Sequence, residues 1–149
     1  MYINGFYIFK SVEEFPDKQG LHLFDIDGSL CKTTDQLFDH FELQLDFPAY
    51  FGGNWDGFEE LLNDLSWANA KHYAIHIVNI EDLLSEEDPE ELETFLDILL
   101  DAASQWSDVP NFEGEEEYRK RSGFYIYLLD TPENLAWCDK NRIEARSFK

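Results

Sequence analysis

The stretch FPAYFGGNWDGFEELLNDLSW, residues 47–67, decides how this chain is read. Phe47-Pro48 closes whatever helix precedes it, because proline has no amide hydrogen to donate and disfavours helical geometry in the residue before it. Gly52-Gly53 then supplies a hinge, and Asn54 is a residue type whose side-chain oxygen caps a helix. Phe58, Leu61, Leu62 and Leu65 recur at i, i+3, i+4 spacing, the apolar stripe of a half-buried helix. Asp56, Glu59, Glu60, Asn63 and Asp64 fall elsewhere around it, so the spacing predicts a short helix with an apolar side and an acidic side.

Working outward, three apolar runs read as buried strands, residues 21–26, 72–80 and 124–129. Between the first of them and Pro48, Leu37, Phe38, Phe41 and Leu45 recur at helical spacing after Thr33, an N-cap residue type. A longer helix is predicted from Pro89 to about Trp106, with Leu92, Phe95, Leu96, Leu99, Ala103 and Trp106 as its stripe and Asp97 and Asp101 off it. Strands alternating with helices argue for an α/β domain built on a small parallel sheet. The chain divides into an N-terminal extension, 1–20, with an edge strand over residues 2–9; a central domain, 21–130; and a polar C-terminal tail, 131–149. Residues 111–120 read as a loop.

A chain of 149 residues suits one domain, and a domain near that size hides about 68–70% of its unfolded surface. Aromatic residues make up 16% of the chain, which separates it from the aromatic-poor composition of disordered acidic proteins. No run approaches the roughly 20 apolar residues of a membrane span, and the N-terminus lacks the basic and apolar regions of a signal peptide, so a cytoplasmic protein is expected. Cys31 and Cys138 have no Cys-x-x-Cys partner and read as reduced thiols without a metal or disulfide role.

Charge is distributed unevenly. The formal net charge is −21, and between Thr33 and Tyr118 a single basic residue, Lys71, stands against 23 carboxylates. Such a field repels nucleic acid and anionic membranes and speeds encounter with basic proteins.

Two motifs compete to explain this chemistry. LHLFDIDGSL, residues 21–30, resembles the nucleophile loop of haloacid-dehalogenase-like phosphatases, which would make Asp25 the nucleophile and Asp27 the acid/base with magnesium between. That reaction also needs a lysine and a further acidic pair. Lys71 and Glu81-Asp82 are the nearest candidates, but Lys71 precedes its strand. His72 and His76, four apart on a strand, are separated by about 13 Å, too far to share a metal. His22 and His40 stand alone.

The segment 47–67 resembles the barstar family of intracellular ribonuclease inhibitors, through Pro48, Tyr50-Phe51, Gly52, Asn54, Asp56 and Glu60. The resemblance extends over roughly 21–130. It implies a three-stranded parallel sheet flanked by helices, with the N-terminal strand as an addition, and gives Asp27-Gly28 the plain role of a strand end turning toward a helix. It further implies a partner-binding set of Tyr50, Gly52, Asn54, Trp55, Asp56, Glu59, Glu60 and, on the third helix, Asp101. Position 60 is Glu where the family usually has Asp, and Glu59 stands where the best-known member has an aromatic. Trp55 fits either a core edge or an interface, and Asp56 also suits the first turn of a helix, where the macrodipole favours an anion.

The implied partner is a basic ribonuclease or similar basic toxin. Carboxylates offered to its cleft would take the arginine contacts that RNA phosphates otherwise receive. The same acidic face would serve another basic partner equally well. No cofactor, nucleic acid or membrane is implied, and the free chain is expected to be a monomer.

Overall fold

The computed structural model describes residues 3–108 and 120–148. In chain order the strands are β1 (Gly5–Phe9), β2 (Leu21–Asp27), β3 (His72–Val78), β4 (Gly123–Leu129) and β5 (Ala145–Ser147). The helices are α1 (Thr34–Leu45), α2 (Trp55–Leu62), α3 (Pro89–Ser107) and α4 (Pro132–Lys140). Helix starts follow the sequence signals: the side chains of Thr33, Asn54 and Thr131 each accept a backbone N–H at the head of α1, α2 and α4, and Pro89 and Pro132 open α3 and α4.

All pairings are parallel, in the order β2-β3-β4-β1-β5. The α/β class with a parallel sheet flanked by helices is as expected, and the sheet gains strands from both ends of the chain. The N-terminal strand is not an edge: β1 lies between β4 and β5, and all five of its residues are buried. The residues after Thr131, expected as a polar tail, form α4 and β5. The loop expected at 111–120 lies, apart from Lys120, outside the described residues.

Handedness accounts for the layers. From β2 through β3 to β4 the chain steps across the sheet in one direction, with α1, α2 and α3 on one face, and β4-α4-β5 continues in that direction. Passage from β1 to β2 runs backwards, so a right-handed crossover puts it on the opposite face. There its Phe15 packs 4.9 Å from the ring of Phe9 and 4.4 Å from that of Tyr127.

The main core fills the space between helices and sheet. Phe41 packs edge-on to Phe58 at 5.0 Å and to Phe95 at 5.8 Å, joining α1, α2 and α3 under the acidic helix. All three rings are fully buried, and truncating such a ring to alanine costs about 3–5 kcal/mol. Leu65, predicted on the stripe of α2, lies past the helix end, in a turn where its φ of 48° still drives the side chain into the core.

Candidate functional site

The loop before α2 turns at Phe51, whose N–H donates to the Pro48 carbonyl at 3.0 Å. Phe51 points inward, against Phe47 at 5.1 Å and Phe38 at 5.8 Å, while neighbouring Tyr50 is 70% exposed. Gly53 has a φ of 68°, which glycine alone adopts without cost. At Gly52 an added Cβ would sit 3.2 Å from the Asn54 amide nitrogen. That amide group is busy capping: its oxygen accepts the Gly57 N–H at 2.7 Å.

Trp55 is held from several sides. Its ring packs edge-on to Phe38 at 4.9 Å and Phe58 at 5.7 Å, and its indole N–H donates to the Glu91 carboxylate of α3 at 2.7 Å. The core-edge expectation is therefore what its contacts satisfy, and its remaining surface lines the groove between α2 and α3. Glu91 escaped the sequence reading because nothing in a run of acids distinguishes the one that meets an indole.

That groove, of about 670 Å³, is lined by Trp55, Asp56 and Glu59 from α2 and by Thr94, Asp97, Ile98, Leu100 and Asp101 from α3. The structure thus brings Asp101 beside Asp56 and Glu59 and adds Asp97, which the sequence reading left out. The i, i+4 relation of Asp97 to Asp101 was its available signal. Glu60 is exposed on α2 but does not line the groove. Asp101 accepts a hydrogen bond from Gln105 at 3.2 Å. Among the described residues no lysine or arginine pairs with any of these acids; the ion pairs found are His72 with Asp17 and His76 with Asp25. Four carboxylates from two helices thus converge on an open groove over a rigid aromatic base.

The Asp25–Asp27 motif is built differently. Asp27 Oδ1 accepts the Ser29 N–H at 3.0 Å, the Ser29 hydroxyl at 2.7 Å and the Asn79 amide at 2.9 Å, and the Asp27 N–H donates to His40 Nε2 at 3.0 Å. Hydrogen bonds from Asn79 and then Ser29 hold its carboxyl below the ordinary carboxylate value. Gly28 is pressed so closely on β3's end that a Cβ there would lie 2.1 Å from the Asn79 carbonyl oxygen. Asp25 meets His76 at 3.1 Å on the exposed side of the sheet. This motif fastens the end of β2 to the turn after β3. Cys31 and Cys138 are free and buried, and burial pushes the Cys31 thiol up to about 12.

The crossover between β2 and β3 thus carries a capped acidic helix over an aromatic base. The family model described as Barstar (barnase inhibitor) matches residues 21–127, and the chain belongs to that family. No curated protein matches it significantly. Among the described residues no helix is long and apolar enough to cross a membrane.

Proposed function

We propose that this chain is a monomeric cytoplasmic inhibitor of a basic ribonuclease, which it blocks by seating the acidic side of α2 and the 50–54 loop in the active-site cleft. The observation that supports this reading most is the convergence of Asp56, Glu59, Asp97 and Asp101 on one groove, with no lysine or arginine paired to them among the described residues. A ribonuclease cleft presents arginine, lysine and histidine to stabilise charge on phosphate, and carboxylates take the same charge-assisted bonds without offering a scissile linkage.

Glu60, one helical turn beyond Asp56, extends the acidic side, and its extra methylene reaches further than an aspartate would. Tyr50, exposed at the loop tip, is placed to lie over the cleft rim, where aromatic residues contribute strongly to binding. Gly52 and Asn54 fix the loop that carries it. The role of Asp27 as a hydrogen-bond hub favours inhibition over phosphate hydrolysis, because a carboxyl held by three donors is not poised to protonate a leaving group.

The test is inhibition of barnase and a panel of other basic ribonucleases by the wild-type protein and by the Asp56→Ala/Glu60→Ala double variant. Inhibition by the wild type that the double variant loses while remaining folded supports the reading. Equal inhibition by both overturns the assigned face.

A further inference from the structure

Leu100 lines the recognition groove on one flank of α3 and a second cavity, of about 640 Å³, on the other. That volume lies within the range of small-molecule sites. Its apolar floor includes Phe6, Leu100, Ala103 and Ile143, and Arg142, Arg146 and Ser104 are among the residues that line it. The chain carries 32 acidic residues, yet among the described residues neither arginine has a carboxylate within ion-pair distance. Glu144 lines the same cavity and pairs with neither.

Backbone geometry puts Arg142 at the end of α4. The Ile143 N–H donates to the Cys138 carbonyl at 2.9 Å and the Arg142 N–H to the Asp139 carbonyl at 3.3 Å, the paired bonds of a Schellman helix end. Arg142 is the left-handed residue of that motif, with a φ of 58°, a position where glycine is the usual occupant. The chain instead holds arginine there, and Arg142 is one of the residues lining the cavity. Gly5 has a φ of 136°, and its bare face lets Arg146 Nη1 lie 3.4 Å from where a Cβ would be.

We infer that this cavity binds a short organic dicarboxylate, its charged ends held by Arg142 and Arg146 and its carbon chain resting on the apolar floor. Arginine's planar fork matches a carboxylate bidentately, and the apolar floor favours a carboxylate on a short carbon chain over inorganic phosphate. Both arginines lie outside the family match, and the site stands independently of ribonuclease inhibition.

Calorimetric titration with glutarate tests it, using inorganic phosphate and the neutral diamide of glutaric acid as comparisons. Wild type binds glutarate saturably and more tightly than either comparison. Arg146→Gln and Arg142→Gly each weaken binding by at least about tenfold, or 1.4 kcal/mol. Arg142→Gly places glycine where the backbone prefers it, so its thermal midpoint holds or rises and lost binding cannot be charged to unfolding. Asp56→Ala keeps glutarate binding. Absence of saturable binding to the wild type, undiminished binding by both arginine variants, phosphate binding as tightly as glutarate, or loss of binding in Asp56→Ala would each overturn the assignment.

Discussion

Asp27 and Asp56 both stand where a turn or helix begins, and their surroundings are opposites. Asp27 collects donors from Ser29 and Asn79 and anchors the end of β2 to the turn after β3. Asp56 is exposed in the first turn of α2, beside three other carboxylates and without a cationic partner among the described residues. One acid has a carboxylate oxygen, Oδ1, that takes three donors from within the chain. Under the proposed function the other keeps its carboxylate for an outside partner, while Trp55, Phe58 and Phe95 beneath it supply the rigidity. Residue type is the same in both regions; what differs is the supply of local donors.

The largest expected effect separates the regions cleanly. Asp56→Ala or Glu60→Ala weakens the ribonuclease complex by about 2–5 kcal/mol, a range drawn partly from the barnase–barstar pair itself, and leaves the thermal midpoint near wild type. Measuring inhibition and unfolding on the same samples checks both halves. Gly28→Ala should do the reverse. A Cβ 2.1 Å from the Asn79 carbonyl oxygen forces the strand ends apart, and overpacking of this kind costs about 1–3 kcal/mol of stability. Inhibition per folded molecule, with the folded fraction read from denaturant titration, should be unchanged.

Asp27→Ala sharpens the same contrast, with a loss of about 1–2 kcal/mol from its cap and hydrogen bonds. Because the folded Asp27 carboxyl titrates lower than the unfolded one, its contribution is complete above about pH 4 and is lost as pH falls through the folded value. The acid limb of the midpoint–pH curve should therefore be shallower in the variant. His40 acts at milder pH. Burial lowers its pKa, with the Asp27 charge opposing, and its neutral ring accepts the Asp27 N–H. That contribution is complete above about pH 6.5 and declines as pH falls below it, so His40→Gln should flatten the curve over this window. The smallest effect is expected of Asp64→Ala: exposed, on the turn after α2 and away from the groove, it should shift stability by less than about 0.5 kcal/mol and chiefly slow association.

Local signals carried much of this arrangement. The Asn54 cap, the Gly52-Gly53 turn and the stripe of Phe58, Leu61 and Leu62 are short-range features, and each acts where its sequence position puts it. Strand order is not short-range. The placement of β1 between β4 and β5 depends on a partner 120 residues away, as the pairing of Gly5 with Tyr125 shows. The signal for α4 was present in Thr131-Pro132, cap and first helical residue, but the polar composition around Leu135 and Trp137 masked it. The position of Asp56 in the first turn of a capped helix was legible from its motif, whereas Asp97 and Glu91 come beside that helix only when α3 is laid against α2. The Asp25–Asp27 motif shows the converse hazard: its resemblance to a nucleophile loop is local, and the packing of Gly28 on Asn79 that explains it joins two segments about 50 residues apart.

Hydrogen exchange on the complex with an inhibited ribonuclease addresses both regions in one measurement. Amides of residues 50–60 and 94–101 should gain protection on binding, while those of 25–30 and 76–79 exchange as in the free protein. Protection confined to the Asp25–Asp27 end, with 50–60 unchanged, would contradict the account.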